Sequence, residues 1–311
     1  MTVNDVVAAT RANLGGVVGA YRPQCVLFSG GLDSSIAAAL SPCGKGILVT
    51  FGPEGPDLRY AREAATAIGL RLTHRAVAID EALAAIPEVI ATLRSFDPAI
   101  PNDLAVWFAL KEAKALGVSS VMTGDGADEL FGGYSYMAEV GDLDGYIRHL
   151  SGTMSFNSTI LGRHLGVEVI QPFLDKEILD FALQIQGKWK IREEKGVVHG
   201  KWVLRRACEG LLPPGILWQG KRPLETGSGM TRLNAMLDAV ISDEEFADKK
   251  RSSGIRFYNK AHLHYYEVFR KTVGDIPPPG PDERACEGCG AGMKEGRGHC
   301  RVCGWVKEAV W

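Results

Sequence analysis

The sequence predicts an α/β fold: a doubly wound, mostly parallel sheet, then a helical part, then a small four-cysteine appendage. Three observations carry this. Short apolar runs alternate with helical patterns between residues 24 and 123, and parallel strands need helical crossovers that cover both faces of the sheet. After residue 134 the pattern turns helical. Residues 274–282 then hold four prolines and two glycines, and four of the chain's seven cysteines come after them.

Residues 3–20 read as an amphipathic N-terminal helix, weakened in its second half by Gly15, Gly16 and Gly19. The apolar run 25–28 is the first strand, and 34–40 begins the first crossover helix. Residues 46–51 are the second strand, 57–68 a helix stopped by Gly69, and 71–77 the third strand. Helices follow over 80–94 and 102–116, the latter ended by Gly117, and 119–123 is the fourth strand. Further helices are expected at 134–150, 176–186, 199–211, 231–248 and 258–272. The chain therefore divides into an N-terminal helix (1–22), a main domain (23–273, sheet part 23–133 and helical part 134–273), a stiff proline-rich linker (274–282) and a tail (283–311). The tail is too short to build a hydrophobic core unaided.

Composition narrows the function classes. The 311 residues are 46% hydrophobic and 23% charged with a formal net charge of -2, which is ordinary globular composition without broad electrostatic attraction to nucleic acid. No apolar run approaches the roughly 20 residues needed to span a bilayer. The start, Met1-Thr-Val-Asn-Asp5, has no basic region leading into an apolar stretch, so a cytoplasmic enzyme with no membrane partner is expected.

Two loops carry the chemistry. Ser29-Gly30-Gly31-Leu32-Asp33-Ser34-Ser35 leaves the first strand and opens a helix. Backbone N–H groups, hydroxyls and the positive end of a helix dipole converge there on one small volume that suits a phosphate. The loop has no lysine and no Gly-x-x-x-x-Gly-Lys-Ser/Thr spacing, so it is not the loop of the common GTPases and ATPases. Residues 123–134, Thr-Gly-Asp-Gly-Ala-Asp-Glu-Leu-Phe-Gly-Gly-Tyr, leave the fourth strand and place Asp125, Asp128 and Glu129 within five positions. Such a turn wants a cation to balance it, and Asp33 with Asp128 are the candidates to hold Mg²⁺ beside a phosphate chain. Ligands of open parallel sheets bind beyond the strand ends, so both loops are expected to face one site.

The first loop resembles the pyrophosphate loop of enzymes that split ATP between its α and β phosphates. Both loops together, about 90 residues apart, resemble the synthetase domain of asparagine synthetase and its relative β-lactam synthetase. The likeness extends through Gly166-Val-Glu-Val-Ile-Gln-Pro-Phe-Leu-Asp175, Lys201-Trp-Val-Leu-Arg-Arg-Ala207, Leu212-Pro-Pro-Gly-Ile-Leu-Trp218 and the lysine-bearing loop from Gln219 to Gly229, roughly residues 10–270 in all. The resemblance implies an adenine-nucleotide α-hydrolase-like (HUP-type) sheet and an ATP-dependent, AMP-forming ligase. Such an enzyme adenylates a small carboxylate substrate and transfers ammonia or an amine to form an amide. It implies that Ser29, Gly30, Gly31, Asp33, Ser34 and Ser35 cradle pyrophosphate. Leu32, the second-strand end near Val49 to Phe51 (Thr50 included) and Gly124 would lie by the nucleotide, and Asp57 would face the phosphates. Lys221 would neutralise charge on the α phosphate, and Asp125 would assist proton removal from the amine, a role in which the family commonly has Glu. Lys201 and Arg205, on a helix, read as surface residues.

Family members usually begin with a glutaminase domain carrying an N-terminal cysteine; here residue 2 is Thr2 and about 23 residues precede the first strand. Free ammonia, a separate glutaminase subunit or an amine within another substrate are the expected nitrogen sources. The tail departs from the family as well. Cys286-Glu-Gly-Cys289-Gly and Cys300-Arg-Val-Cys303-Gly are two near-identical knuckles with ten residues between them. In a cytoplasmic chain four thiolates at this spacing read as a zinc-ribbon-like Zn²⁺ site before an iron–sulfur cluster or disulfides, with His299 a spare. From Arg284 the tail has five Lys/Arg against Glu287, Glu295 and Glu308, little attraction for RNA, so a structural cap, a homodimer contact or a protein contact is the expected use. The alternative reading is an ATP-pyrophosphatase that activates a tRNA base, the zinc tail contacting RNA.

Overall fold

The computed structural model describes residues 2–221 and 223–307; Met1, Arg222 and residues 308–311 lie outside it, and with them the end of the expected tail and its Glu308. Helix α1 (Val3–Ala20) is capped by Thr2, whose hydroxyl accepts from Asp5 N–H while Asp5 accepts from Thr2 N–H. Its glycines do not break it, because Leu14, Val17 and Val18 are buried on its packed face.

The central sheet has five parallel strands in the order β3-β2-β1-β4-β5: β1 (Cys25–Leu27), β2 (Lys45–Phe51), β3 (Arg71–Val77), β4 (Ser120–Met122) and β5 (Glu168–Ile170). Between them run α2 (Leu32–Leu40), α3 (Leu58–Ala67), α4 (Ile79–Leu93) and α5 (Ile100–Ala115). Alternation along the strands feeds two cores. Cys25, Ile47, Val49 and Val121 pack on the face under α4 and α5, while Val26, Leu48 and Met122 pack on the face under α1 and α2. This is the doubly wound parallel sheet the sequence predicts. The order reverses between β1 and β4, the switch point where ligands of such sheets bind.

The helical part departs from expectation in detail. The fifth strand is an addition; three residues between Gly166 and Gln171 are too short for a sequence pattern. After α6 (Ala127–Phe131), the stretch expected as one helix from 134 is a short 3-10 turn followed by α7 (Leu143–Thr153), because Asp142 caps a new start by accepting from Gly145 N–H at 2.9 Å. Helix α8 (Asn157–Leu165) leads into β5. The expected helix 199–211 shortens to Trp202–Ala207 behind a hairpin of Arg192–Glu194 with Val197–His199, and 231–248 divides at Ser242, which caps Asp243–Ser253.

The tail is a two-stranded ribbon, Glu283–Ala285 with Gly292–Lys294, that docks on the main domain. Cys286, Met293, Cys300, Cys303 and Trp305 belong to the same buried cluster as Phe96, Phe257 and Phe269. Phe96 N–H donates to Val302 O at 2.7 Å and Arg256 N–H to Gly288 O at 2.9 Å. The tail thus borrows the core it is too short to make.

Candidate functional site

The loop after β1 turns back on itself before α2. Ser29 Oγ accepts from Gly31 N–H at 3.2 Å and lies 3.1 Å from Ser34 Oγ, which holds the turn at the start of α2. The loop after β4 comes against it. At Gly124 any Cβ would lie 2.7 Å from Asp33 Cβ, so only glycine allows the two loops to meet.

Between the loops four charges interlock. Lys201 Nζ is 2.6 Å from Asp33 Oδ2 and 2.7 Å from Asp128 Oδ1, and Lys221 pairs with that same Asp128 oxygen. Burial pushes Asp33 above the usual carboxylate range despite Lys201. Burial acts on Asp128 in the same sense, but Lys201 and Lys221 together outweigh it and hold that carboxyl below its ordinary value. Lys201, 4% exposed, is desolvated yet held above its ordinary value by the two carboxylates. Both Lys201 and Arg205 are buried, contrary to the surface reading. Arg205 clamps the next loop, donating to Gly200 O at 2.8 Å, to Gln219 O at 3.0 Å and to Leu217 O. They stand four apart around the apolar Trp202-Val203-Leu204, a spacing that marks one side of the segment as packed but not what packs on it.

Lys221 lies 4.0 Å over the Tyr134 ring, and its loop is pinned at both ends. Gln219 Nε2 donates to Gly30 O at 3.0 Å, Asp57 N–H to Gly227 O at 3.0 Å and Phe51 N–H to Ser228 O at 2.7 Å. Asp125 Oδ2 accepts from three donors: Ser158 Oγ at 2.6 Å, Thr123 Oγ1 at 2.9 Å and Gln171 Nε2 at 2.9 Å.

These elements surround a cavity of about 1370 Å³. Of the expected residues, Ser29, Gly31, Leu32, Asp33, Ser34, Asp57, Gly124, Asp125, Asp128 and Lys221 line it, with Lys201 and Arg205 added. Gly30, Ser35 and Thr50 do not. Gly30 packs against Ala61 of α3, Ser35 is wholly buried, and Thr50 turns away to meet His74 Nε2 at 2.7 Å. The neighbouring Val49 faces the cavity instead, with Leu27, Ala105, Val106 and Ala109 forming an apolar slot. Asp33 Oδ1 is buried without a hydrogen-bond partner, an oxygen donor of the kind Mg²⁺ takes up.

In the tail, the sulfurs of Cys286, Cys289, Cys300 and Cys303 lie within 4.8 Å of one another, Cys286 to Cys303 at 3.7 Å and Cys289 to Cys300 at 3.9 Å. Four sulfurs about 2.3 Å from one tetrahedral ion stand about 3.8 Å apart, so the donor set fits a single metal. Gly290 and Gly304, at φ +80° and +73°, make the tight turn after each knuckle. The same cavity is lined on its far side by tail residues Arg284, Arg297, His299 and Arg301. His299 Nε2 sits 3.0 Å from Asp97 Oδ2, and not in the thiolate cluster.

A probable glutamine-hydrolyzing asparagine synthetase of Schizosaccharomyces pombe is 31% identical over 93% of this chain and 55% of its own length. Asparagine synthetase B of Escherichia coli is 28% identical over 83% of this chain and 52% of its own. The chain spans about half the length of these relatives. Among solved structures, the U34-tRNA thiolase NcsA from Methanococcus maripaludis, with its [4Fe-4S] cluster, superposes over 88% of this chain and 82% of its own at TM-score 0.36 and 13% identity. The asparagine synthase family model matches residues 18–160 and 160–273, nearly the whole main domain, and the chain belongs to that family.

Proposed function

We infer that this chain is an ATP-dependent ligase that adenylates a small carboxylate and passes it to ammonia or an amine, releasing AMP and pyrophosphate. The observation that supports this best is the meeting of three loops at the sheet's switch point, where Asp33, Asp128, Lys201 and Lys221 form one alternating charge cluster.

The apolar slot around Val49 takes the adenine. The backbone N–H groups of the loop that are not donated within it, those of Leu32, Asp33 and Ser34 at the start of α2, and the α2 dipole hold the β and γ phosphates. Asp33 and Asp128 are the residues to hold Mg²⁺, which screens the triphosphate charge when bound. Lys221 stands on the arm of the cluster nearest solvent and neutralises charge building on the α phosphate. The three donors on Asp125 Oδ2 fix that side chain, which leaves Oδ1 as the atom to accept the amine's proton. The four tail cysteines hold Zn²⁺ as a structural ion.

The test is release of pyrophosphate and AMP from ATP with Mg²⁺, ammonium and a panel of amino and organic acids, beside bulk tRNA. Acid-dependent release is expected. Release that only tRNA stimulates would overturn the ligase reading in favour of RNA modification.

A further inference from the structure

One wall of the cavity holds no Asp, Glu, Lys or Arg: the lining residues from Tyr134 to Phe156. We propose that this wall, centred on α7, binds the body of the activated acid, and that the body is bulky and apolar. The inference rests on the ligase reading and narrows its substrate to apolar monocarboxylic acids.

The wall is built on one helix face. Tyr146, His149, Leu150 and Thr153 of α7 stand three and four apart, so they share a side, and that side lines the cavity. Tyr136 before the helix and Met154 and Phe156 after it extend the same surface. The Tyr134 and Tyr136 rings stack with centroids 5.6 Å apart and planes 14° apart. Tyr146 meets Tyr136 edge-on, their hydroxyls 3.0 Å apart. The cavity's formal charges stand elsewhere: on the two strand-end loops and the Lys221 loop, around α5 with Asp97, Asp103 and Glu225, and on the tail with its arginines.

These apolar side chains are not used by the core. Tyr136 is 48% exposed, while Tyr146, Leu150 and Phe156 are half-buried. None of the four belongs to either buried cluster among the described residues. Apolar surface on the inside of a cavity gains stability when a ligand takes it out of water, in proportion to the area covered. The volume has room for such a body beside the nucleotide: about 1370 Å³ exceeds the roughly 300–1000 Å³ typical of a small-ligand pocket.

The wall begins and ends at reacting groups. Lys221 Nζ lies 4.0 Å over the Tyr134 ring at one end. At the other, Ser158 just beyond Phe156 donates to Asp125 at 2.6 Å, and Asn157 donates to both oxygens of Asp103 at 3.1 Å. In the ligase reading Lys221 acts at the α phosphate and Asp125 on the amine, so the acyl carbon lies between them. The body behind that carbon therefore faces the surface that joins the two. Adenine lying on Tyr136 instead of in the Val49 slot is the competing use, and it would show in the KM for ATP.

The experiment measures pyrophosphate release by the full chain with ATP, Mg²⁺ and ammonium. Phenylacetate, 3-phenylpropionate and octanoate are compared with acetate, glycine, aspartate and succinate. The chains are wild type, Tyr136→Ala, Leu150→Ala and Tyr136→Phe. The apolar acids are expected to be the better substrates. Their KM should rise about 10–100-fold in Tyr136→Ala, as loss of a buried ring contact does, and by less in Leu150→Ala. Tyr136→Phe keeps the ring and should keep the wild-type KM, while KM for ATP and the melting temperature should not move. Preference for aspartate or succinate overturns the wall. So does an unchanged KM for the apolar acids in the Ala variants, an equal rise for ATP, or a loss in Tyr136→Phe as large as in Tyr136→Ala. If no acid is turned over, the ligase reading fails by itself, and calorimetric titration with 3-phenylpropionate decides the wall. Binding weakened in Tyr136→Ala supports it; binding that is absent, or unchanged in the variant, overturns it.

Discussion

Lys201 places its Nζ 2.6 Å from Asp33 Oδ2, although 168 residues separate the two along the chain. The same ammonium reaches Asp128 at 2.7 Å, so one lysine ties the β1 loop to the β4 loop. It does so from a left-handed backbone position, φ +55°, at the start of the helix Trp202–Ala207.

Replacing it leaves Asp33 without its ion partner and Asp128 with Lys221 alone. Lys201→Met should therefore cost about 2–3 kcal/mol, below the full penalty for a buried pair because Asp128 keeps Lys221 and both carboxylates stay partly exposed. Urea denaturation reads this directly. Millimolar Mg²⁺ should restore part of the loss by binding the vacated carboxylates, and an unchanged midpoint would remove the bridge from the stability of the fold.

Lys221 should behave differently. It meets Asp128 and Tyr134 from the solvent side and holds no other element in place. Lys221→Ala is expected to lower kcat/KM by at least about 100-fold, as loss of a transition-state charge partner does, while ATP affinity by calorimetry changes only slightly. Equal losses in both would place Lys221 in ground-state binding.

The different exposure of these two lysines shows where sequence reading succeeds. The sheet and both loops were legible, because strand-to-glycine-to-helix transitions and carboxylate spacing are local features; Lys221 was singled out only through the family resemblance. Lys201 was not legible, since a basic residue on a helix gives no local sign that two loops more than 70 residues upstream will close over it. Within the expected strand end 49–51 a strand alternates its faces, so Val49 lies on the cavity while Thr50 meets His74, a choice of face the sequence does not mark. The linker showed as extended chain, but proline content alone could not reveal that the segment beyond it packs on Phe96 and Phe257.

That packing makes the metal proposed for the tail a matter for the whole chain. Cys286, Cys300 and Cys303 are buried in the same cluster as Phe96 and Phe269, so removing the ion exposes core shared with α4. Cys289→Ser should drop bound zinc, by atomic absorption, from one per chain to near zero, and lower the melting temperature of a single cooperative transition. A separate early transition with the main one unmoved would make the tail an independent module.

Asp103 gives the chain a pH dependence that can be assigned to one group. It sits on the first turn of α5, 2% exposed, and burial lifts its carboxyl to about 8, against the 3.1 Å bonds from Asn157 Nδ2 and with the help of Asp97 and Glu225. A carboxyl whose folded value lies above its unfolded one binds its proton more tightly in the folded chain. Its contribution to stability is therefore complete below about pH 4 and is lost as pH rises through about 8, at a slope of about 1.4 kcal/mol per pH unit in between. Asp103→Asn cannot ionise and should lack that slope. Urea midpoints at pH 5, 7 and 9 should show wild type losing stability relative to the variant at each step, with the variant the more stable at pH 9. Parallel curves for the two proteins would mean that Asp103 is already ionised in the folded state and that the donors around Asn157 compensate its burial.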